Sequence, residues 1–150
     1  MAVCFRSLKP ILLPLVLLLQ LLPATAQGEI LVVVNADNPL DELTLKNVKQ
    51  LFLGRLRRFP VIDSDVDVLD REENSVLHRK FYQEVVRMDP IRLKRYRARY
   101  LFSGQGRLPE TVMGQDAVIE LVQQKVSAVG YIELQPDEPL PERLKIVYRQ

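Results

Sequence analysis

The sequence feature that most constrains the fold is the segment EILVVVN, residues 29–35. Its centre is an unbroken run of large aliphatic side chains with polar residues at both ends. A strand with one solvent-facing side alternates apolar and polar residues, so this run predicts a short strand that is buried on both faces. Such a strand lies in a sheet covered by helices, and we therefore expect an α/β domain with a central, mostly parallel or mixed sheet flanked by helices.

Local patterns after this strand predict the remaining elements. Apolar residues at helical spacing indicate four helices, and Thr44, a residue near Ser75, and Asp89 followed by Pro90 are the expected starts of the first three. The third helix is expected to reach about Tyr100, and the fourth covers roughly residues 115–125. Further strands are predicted up to Leu69, in AVGYIEL and in LKIVYR, whereas FSGQGRLP has the composition of a loop. The inner residues expected for the third helix are Ile91, Leu93, Tyr96 and Tyr100.

The N-terminal segment has the pattern of a secretory signal peptide. Arg6 and Lys9 precede an apolar run over residues 11–22, and Ala24-Thr25-Ala26 supplies a small-residue cleavage site. The apolar run is shorter than the roughly 20 residues that a membrane-spanning helix needs. We therefore predict a signal peptide over residues 1–26, a domain over residues 27–150, a periplasmic or secreted location, and no stable membrane span after cleavage.

Few residues of the predicted mature chain can carry catalysis. Cleavage removes Cys4, which leaves one histidine, His78, and no cysteine, so a Cys–His pair and a His-rich metal site are both excluded. His78 is either a packed residue on a helix flank or a base, and the first fits its apolar neighbours better. The alternating Asp63, Asp65 and Asp67 could hold a hard cation or form a solvated strand face. We expect no enzyme activity and no cofactor.

Basic residues are concentrated between residues 87 and 107, where seven of them accompany a single acid, Asp89. Arg92, Arg95 and Arg99 are expected on one side of the third helix. This face could be simply solvated, bind nucleic acid, or contact an anionic envelope partner such as lipid head groups or an acidic protein surface. The predicted mature chain has no net charge, because the signal contains two of the 21 basic residues and none of the 19 acids. We therefore expect no nucleic-acid partner.

The segment LDREENSVLHRKF, residues 69–81, begins as a strand end and finishes as a helix start. Unpaired N–H groups at the helix start, the Arg71 guanidinium and the Ser75 hydroxyl could together bind an oxyanion. The alternative is that Asn74 or Ser75 only caps the helix while Arg71 pairs with a neighbouring acid. The residues by themselves leave both interpretations open.

Four segments in order resemble the phosphate-type periplasmic substrate-binding proteins of ABC transporters. They are LTLKNVKQLFLGRLRRFP, REENSVLHRKF, YLFSGQGRLP and VSAVGYI, which are similar to the family patterns L-T-x-x-x-l-x-x-I-F-x-G-k, R-x-x-G-S-G-T-x-x-x-F, F-s-G-k-g-x-P and p-g-A-I-G-Y. The resemblance implies a single lobe of the type II periplasmic-binding-protein-like fold. In the family, the arginine and the G-S-G-T helix start hold the phosphate.

Carried over by position, the resemblance implies that Arg71, Asn74 and Ser75 are ligand-binding residues. Asn74 and Val76 replace the two glycines of the family pattern, and Leu77 replaces its threonine, which makes close backbone approach to an anion harder. The implied function is weak binding of phosphate or a related oxyanion, with a homodimer as one way to supply a second lobe. The alternative is a non-enzymatic module that binds another envelope protein after losing its ligand.

Overall fold

The computed structural model describes residues 28–60, 62, 64–104 and 106–150. The predicted signal peptide, residues 1–26, and Asp63 of the aspartate series lie outside the described residues. The strands are β1 (Glu29–Asn35), β2 (Asp67–Arg71), β3 (Glu110–Val112), β4 (Ala128–Leu134) and β5 (Leu144–Arg149). The helices are α1 (Leu45–Phe52), α2 (Val76–Phe81), α3 (Pro90–Phe102) and α4 (Gln115–Gln124), with a π-helical turn, Tyr82–Val86, continuing α2.

The five strands form one mixed sheet in the order β3-β2-β4-β1-β5. β2 runs parallel to both β3 and β4, whereas β1 is antiparallel to β4 and β5. β1 therefore has a hydrogen-bonded neighbour on each side. The predicted mixed sheet flanked by helices is confirmed.

Side chains of β1 alternate between two apolar cores on opposite faces of the sheet. Ile30, Val32 and Val34 pack with α1, α2, the π-helical turn and α3 in one core. Leu31 and Val33 pack with α4 in the other. Gly130 in β4 permits the close approach of α4, since a Cβ at this position would lie 2.6 Å from Val118 Cγ1. Among the described residues, the buried members of both cores fall between residues 30 and 147.

The predicted helix starts are confirmed by their capping bonds. The Thr44 hydroxyl accepts a hydrogen bond from Asn47 N at 3.2 Å, Ser75 Oγ accepts from His78 N at 3.1 Å, and Asp89 Oδ1 accepts from Arg92 N at 3.0 Å. Gly54 follows α1 with φ +74°, the left-handed conformation that ends helices.

Three details of the sequence-based prediction were wrong. β2 continues beyond Leu69 to Arg71, and the short strand β3 was not predicted. Ile91 was expected to be an inner residue of α3, but it is exposed, because residues two apart on a helix cannot share a face and Leu93 holds the inner position.

Candidate functional site

The carboxyl ends of β2 and β3 lie side by side, with Arg71 in register with Val112. α2 starts just after the first strand and α4 just after the second. Helix starts present unpaired N–H groups, so this edge of the sheet collects donors for an acceptor or an anion. We call residues 70–75 and 113–115 the strand-end corner.

The innermost group of the strand-end corner is the buried carboxylate of Asp70. Its Oδ1 accepts hydrogen bonds from the Tyr131 hydroxyl at 2.7 Å and from Arg71 N at 2.8 Å. Its Oδ2 accepts from the Tyr82 hydroxyl at 2.9 Å and from the Arg97 guanidinium. A charge removed from water needs such partners, and here four donors from four separate parts of the chain surround it.

The ionisation of this cluster follows from its contacts. Burial by itself raises the pKa of Asp70, but the neighbouring His78 imidazole, the Arg97 guanidinium and the Tyr131 hydroxyl outweigh it and hold the pKa below its ordinary value. Burial is the main cause that raises the pKa values of Tyr82 and Tyr131, and the negative charge of Asp70 is the second. Both phenols therefore stay protonated and act as donors to a charged carboxylate.

His78 belongs to this buried cluster. Its Nε2 lies 3.7 Å from Asp70 Oδ2, beyond hydrogen-bonding distance, and has no other polar partner among the described residues. Its ring centroid lies 4.6 Å from that of Tyr82. The side chain is buried, as expected of a packed residue.

The Arg71 side chain pairs with Glu72, the next residue along the chain. Its Nε and one terminal nitrogen each donate to a different oxygen of the Glu72 carboxylate at 3.3 Å. The amide of Gly114, the residue before α4, also donates to Glu72 Oε2 at 3.3 Å. The Arg71 side chain is only 9% exposed, whereas that of Glu72 is 29% exposed.

These contacts stabilise the charged form of Glu72. The hydrogen bond from Arg71, the backbone N–H of Glu72 itself and the N–H of Gly114 lower the pKa of the Glu72 carboxyl to about 2. The Glu72 carboxylate is therefore charged at neutral pH, and the donors that hold it could equally serve an oxyanion.

The other two predicted ligand-binding residues are placed close by. Ser75 Oγ caps α2 through His78 N, which leaves its own hydroxyl hydrogen free to donate. Asn74 lines a cavity of about 220 Å³ between α2 and α3, together with His78, Arg79, Pro90 and Lys94. Within the described residues, no hydrogen bond joins the side chains of Arg71, Asn74 and Ser75 to one another.

Several residues that shape the strand-end corner could not be recognised from sequence patterns. Tyr131 stands in an apolar strand segment, and Arg97 stands among surface arginines, yet both contact Asp70. Gly114 follows a strand that was not predicted. A charged Asp70 next to an apolar strand end could have indicated a buried acid, but its partners are 12 to 61 residues away in sequence.

The alternating aspartates, which could have held a hard cation, receive less support as a site. Across the described part of the chain, no group of three or more histidine, cysteine or acidic residues is arranged to hold a metal ion. Asp67 accepts a hydrogen bond from Ser127 at 2.7 Å, and Asp65 pairs with Arg58.

Among the helices that the structure describes, none has the length and apolar character to cross a membrane.

Comparison with known proteins gives structural likeness alone. No protein-family model matches the chain, and no curated protein matches it. A Clostridium perfringens protein assigned to the phosphate ABC transporter substrate-binding proteins and crystallised with bound phosphate superposes with a TM-score of 0.62 at 22% identity. That match covers 81% of this chain and 45% of the other.

Two further solved structures are similar. An ABC-type phosphate transport receptor from Vibrio cholerae has a TM-score of 0.58 at 20% identity, covering 81% of this chain and 46% of its own. PstS from Borrelia burgdorferi has a TM-score of 0.56 at 15% identity, covering 73% and 42%. The chain thus spans less than half the length of these proteins, and it shares with them the fold of periplasmic binding proteins.

Proposed function

We propose that this chain is an exported substrate-binding-protein-like domain that binds phosphate or a related oxyanion weakly at the strand-end corner. Arg71 is the principal donor, and Asn74 and Ser75 are the other two candidate ligands. The observation that carries the proposal is the convergence of the Arg71 guanidinium and the Gly114 N–H on one carboxylate, that of Glu72. These donors already hold an anionic group, and a phosphate oxygen has the same hydrogen-bonding chemistry.

Glu72 explains why binding would be weak. Its carboxylate is tethered next to Arg71 in sequence, so an external anion competes with a group of high effective concentration. The Glu72 side chain is partly exposed and can rotate toward solvent to release Arg71. The similar solved structures are about twice as long, and a second copy of this chain could supply donors from the opposite side of the anion.

The experiment is a phosphate titration followed by the amide NMR signals of Gly114 and His78, with chloride at matched ionic strength as the control. The wild-type protein is expected to respond in the millimolar range. Glu72→Gln removes the competing charge and should tighten binding by about tenfold or more, while Arg71→Gln should abolish the response.

The double variant Arg71→Gln/Glu72→Gln separates specific binding from a general charge effect. It has the same net charge as the wild type and should not respond to phosphate. An absence of any phosphate-dependent shift in both the wild type and Glu72→Gln would overturn the proposal.

The second candidate function is a non-enzymatic module that contacts another envelope protein. It is favoured by the contacts that already engage Arg71 and Ser75, and by two exposed apolar side chains, Val76 next to the strand-end corner and Met113 within it. Under this alternative, Glu72→Gln leaves phosphate binding undetectable, and Val76→Ser/Met113→Ser reduces recovery of a partner from envelope extract.

A further inference from the structure

α3 has an inner face that is anchored in the domain and an outer face that no described residue covers. On the inner face, Leu93 is buried and Tyr96 and Tyr100 donate hydrogen bonds to the carbonyl oxygens of Leu53 and Gly54 at 2.8 and 2.6 Å. This anchoring fixes which side of the helix points to solvent.

An apolar line runs along the outer face. Ile91, Ala98 and Phe102 are spaced by seven and four residues, which places them on one side of the helix. Ile91 is 67% exposed and Phe102 is 93% exposed. Large apolar side chains that share one exposed line on a well-anchored helix indicate a surface that contacts a partner outside the domain, such as another protein or a membrane.

Basic side chains surround this line. Arg95 lies within it, Arg92 and Arg99 lie on one flank, Lys94 lies on the other, and all four are exposed. Among the described residues, the ion pair that involves one of these four side chains joins Arg92 to Asp89 at 4.0 Å. Over the described residues, Lys94, Arg95 and Arg99 form no ion pair, unlike Arg97, which turns inward to Asp70 and Glu73.

We propose that the outer face of α3, residues 91–102, docks on an anionic lipid surface. The convex helix presents Ile91 and Phe102 for insertion between head groups, while the long basic side chains reach the phosphates beside them. Nucleic acid would satisfy the arginines but leave both apolar side chains in water. The proposal does not involve Arg71 and stands independently of oxyanion binding at the strand-end corner.

The chain contains no tryptophan, so Phe102→Trp creates a single fluorescent reporter at the proposed contact. Residues 27–150, the domain predicted to remain after signal cleavage, are used, because the apolar N-terminal run would itself bind lipid. With phosphatidylglycerol-containing vesicles at low salt, the Trp emission should shift to the blue. High salt or pure phosphatidylcholine vesicles should remove the shift, since the attraction is electrostatic.

Adding Arg95→Gln and Arg99→Gln to the reporter should weaken vesicle binding by about fivefold per charge removed, or about 25-fold together. Circular dichroism checks that the fold is retained. The matched control is Val126→Trp, an exposed apolar position outside α3, where no shift is expected.

Three outcomes would overturn the proposal. The first is no shift of Phe102→Trp with anionic vesicles, and the second is an equal shift with neutral vesicles or with Val126→Trp. The third is a response to duplex DNA or an acidic protein without one to vesicles, which would assign the face to a different partner.

Discussion

Asp70 and Glu72 stand two residues apart at the end of β2, and both accept hydrogen bonds from an arginine. Asp70 is buried and is bonded by Tyr82, Tyr131 and Arg97 as well as by the amide of Arg71. Glu72 lies at the open edge and is bonded by the Arg71 side chain and the Gly114 amide. Water or an external anion could replace the Glu72 carboxylate, but nothing could replace that of Asp70.

This difference separates two uses of the same ion-pair chemistry. Around Asp70 the pair joins β2 to α3 and β4, so its loss would leave buried donors without acceptors. Around Glu72 the pair joins adjacent residues and one amide, and the Glu72 side chain is 29% exposed, so its loss would open this edge to solvent. We therefore expect substitutions at the first carboxylate to affect stability and those at the second to affect binding.

The largest effect is expected for Asp70→Ala. The substitution leaves the Arg97 charge and two phenol hydroxyls without their shared acceptor, and breaking a buried pair in this way costs about 3–5 kcal/mol. Urea unfolding followed by circular dichroism measures the change. The control is Asp37→Ala, whose exposed pair with Arg143 at 3.8 Å should contribute less than about 1 kcal/mol. A loss at Asp70 as small as that of the control would contradict the comparison.

Tyr131→Phe tests one bond of the same cluster. The ring stacks on Phe81 with 3.9 Å between centroids, and phenylalanine preserves that contact while removing the donor to Asp70. A hydrogen bond to a charged group contributes about 1.5–3 kcal/mol, and we expect a loss of stability in that range. Tyr148→Phe is the control, because within the described chain its hydroxyl bonds the exposed Gln150 side chain. Equal stability of both variants would show that the Tyr131 bond is unimportant.

The parts of the fold that sequence patterns predicted are those encoded locally. β1 follows from one apolar run, and the starts of α1, α2 and α3 follow from capping residues that act within three positions. β3 was missed because its three residues become a strand only by pairing with β2, which is distant in sequence.

The strand-end corner was predictable in position but not in its bonding. The strand-to-helix transition in residues 69–81 and the resemblance of REENSVLHRKF, residues 71–81, made Arg71 and Ser75 candidate ligands. The alternative contacts, Arg71 with a neighbouring acid and Ser75 as a cap, were also foreseen, and both are present. Tyr131, Arg97 and Gly114 could not be foreseen, because tertiary packing alone brings them to this edge.

Two substitutions of Ser75 should separate its contribution to stability from its contribution to phosphate binding. Ser75→Ala removes the cap bond to His78 N and should cost about 1 kcal/mol of unfolding free energy. Ser75→Asp preserves an accepting cap and should retain stability, yet its added negative charge should weaken phosphate binding. Thermal unfolding and the phosphate titration together measure both effects. If Ser75→Asp binds phosphate as the wild type does, Ser75 is no part of the ligand site.

Glu72→Gln should have the smallest effect on stability at neutral pH, and its effect should depend on pH. The folded-state pKa of Glu72 is about 2, below its ordinary value of 4.5. The charged carboxylate therefore stabilises the folded state above pH 4.5, and this stabilisation is lost as the pH falls from 4.5 toward 2. Glutamine cannot titrate, so the difference in unfolding free energy between wild type and variant should shrink as the pH falls across this range.

Urea unfolding of both proteins at about pH 6 and about pH 3 measures this difference in unfolding free energy. The Asp70 titration is common to both proteins and cancels, so a pH-independent difference would mean that Arg71 does not hold the Glu72 carboxylate in solution.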